Sequence, residues 1–190
     1  GALGLSGVFG SSDHADGAGG HFTNTSGGVA LLVEGSGIIE STAETDIAVN
    51  PHSMVVYAES NVELRPYVAY MEVRGNTVGT ELVYVPVDLP VSLFGTQTRL
   101  RNVNICYKCD LATSYIDYAS VRQPTSSGNS TLIIESQTNR TSTSWQCFDL
   151  TPVSPHNLSG PLTVVLQMNY SASGSSHDIQ IGPITFTLDE

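Results

Sequence analysis

Val83, Val85, Val87 and Leu89 alternate with Tyr84, Pro86 and Asp88, and Val103 and Ile105 alternate with Asn102, Asn104 and Cys106. A side-chain period of two puts successive residues on opposite faces of a strand, so such runs read as half-buried strands rather than helices. The pattern recurs over 53–59, 62–73, 81–89, 98–108, 114–122, 130–135, 143–150, 162–170 and 178–188. Turn-forming residues separate the runs: Gly75-Asn76, Ser126-Ser127-Gly128-Asn129, Ser159-Gly160 and Ser173-Gly174. No 11-residue window carries a helical stripe. About nine strands joined by short turns predict an all-β fold, an antiparallel β-sandwich or jelly roll. Pro66, inside a strand run, predicts an edge or a bulge.

Residues 1–37 break this pattern. They are Gly-rich with short apolar islands, the longest being Val29-Ala30-Leu31-Leu32-Val33. Gly loses the most entropy on ordering, so the segment makes no core of its own, and 29–33 is too apolar for a solvated linker. The expected organisation is an N-terminal arm or stem remnant over 1–37 and a β-sandwich domain over 38–190. The chain opens on Gly1 rather than Met, which reads as processing or excision from a longer precursor.

Charge narrows the partners. Eighteen Asp and Glu against seven Lys and Arg give a net charge of −11, and residues 1–64 hold no Lys or Arg at all. Phosphate binding needs a basic surface, so neither nucleic acid nor an anionic membrane suits this chain. No stretch approaches the roughly 20 apolar residues that span a bilayer. With 40% hydrophobic residues and only 13% charged, the composition supports a folded core.

Of the three cysteines, Cys106 and Cys109 lie three apart and face opposite sides of a strand, which excludes a shared redox or zinc pair unless the strand ends between them. A disulfide between Cys106 and Cys147, with Cys109 free, is expected, and it implies an oxidising compartment. Five Asn-x-Ser/Thr sequons, at Asn24, Asn129, Asn139, Asn157 and Asn169, are candidate glycosylation sites of an exported chain. A metal reading of Asp13, His14, Asp16 and His21 loses to a solvated turn, because no recognised ligand spacing is present. His177-Asp178 after Ser175-Ser176 invites a hydrolase reading, but neighbours within one turn do not build a triad. No catalytic residue, metal ligand or cofactor is therefore assigned. Tyr57, Tyr67, Tyr70, Tyr84, Tyr107, Tyr115, Tyr118 and Trp145 are candidates for a sugar-binding face, against their commoner role in packing.

Val103-Asn104-Ile105-Cys106-Tyr107, Trp145-Gln146-Cys147-Phe148 and the runs 115–122, 162–170 and 177–186 resemble a group of uncharacterised extracellular β-sandwich proteins from environmental and filamentous bacteria. The matching cysteines there are Cys106 and Cys147. Gly7-Val8-Phe9-Gly10-Ser11 and 20–35 resemble the Gly-Val-x-Gly repeats of bacterial surface and phage-fibre stems, short β segments that associate between chains. The resemblance carries over no established activity; with the apolar run of the Gly-rich arm, the leading expectation is a non-enzymatic structural protein, extracellular or at the cell surface, that self-assembles into a fibre, sheath or filament. Val29, Leu31 and Val33 would then either add as a donor strand to a neighbouring copy's sheet edge or join a trimeric stem, their burial contributing about 4–9 kcal/mol per arm before ordering costs. The alternative expectation is a carbohydrate-binding or adhesive head displayed on a stem.

Overall fold

A computed structural model describes residues 44–57, 61–93, 96–174 and 177–189. The arm over 1–37, with Val29, Leu31, Val33, Asn24 and the 13–21 histidine loop, lies outside the described residues. The rest is built from strands β1 (Thr45–Val49), β2 (Val55–Val56), β3 (Val62–Pro66), β4 (Met71–Gly75), β5 (Gly79–Val87), β6 (Ser92–Leu93) and β7 (Thr96–Gln97). They continue as β8 (Arg99–Cys109), β9 (Tyr115–Pro124), β10 (Ser130–Ser136), β11 (Gln146–Leu150), β12 (His156–Asn157), β13 (Leu162–Tyr170) and β14 (Ile179–Asp189).

Twelve of the strands form two antiparallel sheets, a β-sandwich, and β6 and β7 pair separately as a two-stranded sheet. One has seven strands, with β11-β8-β14-β4-β3 as its path, β1 also pairing with β14 and β12 with β8; the other has five, ordered β10-β9-β13-β5-β2. Their inner faces supply the core. Val83, Val85 and Val87 of β5 meet Val103, Ile105 and Tyr107 of β8 and Ile181, Ile184 and Phe186 of β14 in one buried cluster. Alternation along each strand produces this, because one face of every strand is apolar.

The predicted run 62–73 is interrupted. Tyr67 donates its backbone N–H to the Tyr70 carbonyl at 2.9 Å, closing a tight turn that separates β3 from β4 and makes them a hairpin. Pro66 ends β3 at the outer edge of the seven-stranded sheet, where a missing N–H costs no ladder bond. Of the predicted run 53–59, β2 follows a short 3-10 turn over Pro51–Ser53, and residues 58–59 lie outside the described residues. β1 is an additional strand, pairing Thr45 with Leu188 and Val49 with Ile184.

Cys106 and Cys147 sit directly opposite each other on β8 and β11 and are joined by a disulfide. Cys109 points the other way, into the core, and is free.

Candidate glycan-binding groove

The outward face of the five-stranded sheet is laid out in register rows. One row crosses all five strands: Val55 opposite Tyr84, Tyr84 opposite Val165, Val165 opposite Ser120, and Ser120 opposite Glu135. A second row runs Leu82, Gln167, Tyr118; a third runs Pro86, Thr163, Arg122, Leu132. Residues directly opposite in a ladder share a face, so these side chains form a continuous surface. A groove of about 740 Å³ lies over it, lined among others by Leu82, Tyr84, Asp117, Tyr118, Arg122 and Gln167.

A β-bulge shapes this lining. Gln167 pairs with Tyr118 and the next residue, Met168, pairs with Ile116, which leaves Asp117 as an extra residue on β9. Strict alternation would turn Tyr118 inward with Ile116. The bulge turns both Asp117 and Tyr118 toward the groove while Ile116, Ala119 and Val121 stay in the core.

The polar groups form a short chain. Arg122 Nη2 donates to Tyr118 Oη at 3.3 Å, Tyr118 Oη donates to Glu135 Oε2 at 2.9 Å, and Gln167 Nε2 donates to Asp117 Oδ2 at 3.3 Å. On this sheet two buried oxygens, Asp117 Oδ1 and Ser120 Oγ, have no hydrogen-bond partner among the described residues. Ser120 is fully buried, between Val165 and Glu135 in the first row. A buried oxygen with no partner costs free energy until a ligand or water supplies one. The groove thus combines half-exposed phenol rings, an amide, a guanidinium and a carboxylate on a sheet. Such a surface can accept hydroxyl groups and stack against apolar ring faces.

The structure divides the eight aromatic candidates. Tyr84 and Tyr118 line the groove, and Tyr57, largely exposed, bonds through its backbone N–H to the Leu82 carbonyl. Tyr67, Tyr70 and Trp145 form a separate cluster. Tyr107 is buried edge-on to Phe148, and Tyr115 packs against the core. Asp117, Ser120, Arg122 and Gln167 were not anticipated as site residues; alternation about the inward Ala119 and Val121 places Tyr118, Ser120 and Arg122 outward, and only the bulge adds Asp117.

The other sequence candidates find structural employment. His177 Nδ1 lies 3.1 Å from Ser114 Oγ, but Ser114 is fully buried, and Asp178 is held by Arg74 through Nε at 2.9 Å and Nη2 at 2.7 Å. The His177-Asp178 pair therefore does not share one serine, and Ser175 and Ser176 lie outside the described residues. No group of three His, Cys, Asp or Glu suited to a metal occurs among the described residues. Asn129, Asn139 and Asn157 are exposed, whereas Asn169 donates its side-chain amide to Thr80 Oγ1 at 3.3 Å.

No family model and no curated protein matches this chain. Its fold is similar to solved carbohydrate-binding modules. One is a family 4 module, at 15% identity and TM-score 0.44, over 80% of this chain and 94% of that one. Another is the family 11 module of the cellulosomal cellulase Lic26A-Cel5E of Clostridium thermocellum, at 9% identity and TM-score 0.42, over 80% and 89%. A third is the CBM22-1 and GH10 modules of Clostridium thermocellum xylanase 10B with xylohexaose, at 12% identity and TM-score 0.48, over 80% of this chain. The present chain spans 29% of that enzyme. At these identities the likeness is one of fold. The expectation of a self-assembling fibre, sheath or filament is corrected: the neighbours are carbohydrate-binding modules, and the donor-strand residues lie outside the described residues.

Proposed function

We propose that this domain binds neutral glycan chains, without catalysis, in the groove over Tyr84, Val165, Ser120 and Tyr118. The observation that carries the reading is the groove lining, where the rings of Tyr84 and Tyr118 lie with the polar side chains of Asp117, Arg122 and Gln167. Sugar hydroxyls bond to the side chains of Asp117, Arg122 and Gln167, and the C–H face of a pyranose ring stacks on the tyrosines. Neutral chains fit better than uronates or sulfated sugars. Asp117 and Glu135 set two carboxylates against the single cation Arg122 among the lining and row residues, within a chain of net charge −11. The Cys106–Cys147 disulfide supports an extracellular setting, and no helix of the described residues is long and apolar enough to cross a membrane.

The test is titration calorimetry against cellohexaose, xylohexaose, mannohexaose and a polygalacturonate oligomer. At least one neutral hexasaccharide should bind, and Tyr118→Ala should weaken it by tenfold or more, about 1.4 kcal/mol. Wild-type affinity in correctly folded Tyr118→Ala and Tyr84→Ala overturns the assignment.

A further inference from the structure

We propose that the outer face of the opposite, seven-stranded sheet carries a second glycan contact, a pyranose-stacking platform made of Tyr67, Tyr70 and Trp145, so that one domain bridges two polysaccharide chains. This rests on the glycan reading of the groove but uses none of its residues.

The platform is built rather than incidental. Tyr67 and Tyr70, at the two ends of the β3–β4 turn, stack with ring centroids 4.7 Å apart and planes 15° from parallel. Tyr70 meets Trp145 edge-on at 5.7 Å. The turn is pinned from outside by His52, whose Nε2 lies 2.6 Å from the Tyr67 carbonyl. Trp145 is seated on the backbone of β14: a Cβ at Gly182 would come within 3.0 Å of Trp145 Cζ3 and 3.3 Å of Cys106 Cβ. Two residues beyond Trp145, the Cys106–Cys147 disulfide ties this end of β11 to β8. Tyr67 and Trp145 nevertheless remain 44% and 48% exposed.

Polar groups flank the rings as sugar recognition requires. Gln180, two residues before Gly182 and so on the same face, pairs in register with Lys108 and donates its amide to Asp110 at 3.4 Å. Glu72, opposite Gln180 on β4, and Asp110 both act electrostatically on Tyr70. A second protein copy suits the surface less well. The exposed halves of two rings offer on the order of 200 Å², against the roughly 1,200–2,000 Å² of a stable protein interface. One sugar ring matches the smaller figure.

The experiment compares wild type, a groove variant (Tyr84→Ala with Tyr118→Ala) and a platform variant (Tyr67→Ala with Trp145→Ala), each checked for its fold by near-ultraviolet circular dichroism. Binding stoichiometry is measured with the same neutral hexasaccharides, and turbidity with a soluble neutral polysaccharide such as barley β-glucan or arabinoxylan. Wild type should bind two hexasaccharides per chain and cross-link the polysaccharide. Each variant should bind one and cross-link none. Should the platform variant unfold, Trp145→Gln alone replaces it and should weaken the second site by tenfold or more.

Single-site binding by wild type that only the groove variant abolishes overturns the platform and leaves the groove. Single-site binding that only the platform variant abolishes overturns the groove and keeps a platform without bridging. No binding by wild type overturns both, and a wild-type dimer that Trp145→Gln dissolves in sedimentation assigns the rings to self-contact and overturns the sugar platform.

Discussion

Gly75 ends β4 directly beneath the ring of Tyr170: a Cβ built on Gly75 would lie 2.5 Å from Tyr170 Cγ. Tyr170 cannot move aside easily, because it is buried and its hydroxyl donates to the Val73 carbonyl at 3.1 Å. This contact joins the ends of β4 and β13, one from each sheet. Gly75→Ala should therefore cost about 1–3 kcal/mol through overpacking, read as a lowered urea midpoint. Adding Tyr170→Leu should recover part of that loss; equal stability of wild type and Gly75→Ala would show that the ring is not wedged there.

Ser120 separates stability from binding. Its buried hydroxyl has no hydrogen-bond partner among the described residues, so Ser120→Ala removes a polar group that they leave unsatisfied. The variant should gain up to about 1 kcal/mol in unfolding free energy while binding the neutral hexasaccharide more weakly. Loss of stability with unchanged binding would place the hydroxyl in a structural role.

Acid titration reports on Glu72. Burial first, and then the charge of Asp178, hold its carboxyl above the ordinary value of 4.5, against the opposing pull of Arg74 and Arg65. A raised carboxyl contributes stability that is fully present below 4.5 and lost as the pH rises through its folded value. Wild type should consequently gain on Glu72→Gln in urea unfolding as the pH falls from 7 to 4.5. Asp149 runs the opposite way, since hydrogen bonds from Asn102 and Asn104 lower its carboxyl below 3.8. Its contribution is present above 3.8 and lost as the pH falls through its folded value. A wild type that loses stability relative to Glu72→Gln as the pH falls toward 4.5 would contradict the burial argument.

The cysteines divide by face. Burial pushes the Cys109 thiol up to about 12, so at pH 8 it holds almost no thiolate. Native protein should give no reaction with Ellman's reagent and one equivalent in guanidinium. Replacing Cys106 and Cys147 together with Ser should cost about 3–4 kcal/mol by releasing a closed loop of 41 residues. Groove binding should survive that replacement, because the bridge belongs to the other sheet.

Much of the sandwich was legible because apolar alternation is a direct image of burial. The run 162–170 corresponds to β13 as observed, and Cys106, Cys109 and Cys147 sort onto the faces that their spacing predicts. The turn at Tyr67 to Tyr70 was missed because both flanking halves continue the same apolar pattern. The groove was legible only in part. Tyr84 is outward by alternation, but the bulge at Asp117 reverses the parity between Ile116 and Tyr118 and so brings Asp117 to the groove, and a local insertion in a ladder leaves no compositional mark. Nothing in residue type alone separates Tyr118 in the groove from Tyr107 in the core.

β1 and the far half of β14 run antiparallel with Thr45 opposite Leu188, and Asp189 just beyond is clamped by Arg99 at 2.9 Å and Arg101 at 2.5 Å. Tension applied between these two neighbouring points would load the ladder one rung at a time, as a zipper opens, and not all rungs together as in shear. The sandwich should accordingly be mechanically soft along this axis, with the Asp189 clamp as the first catch to give way.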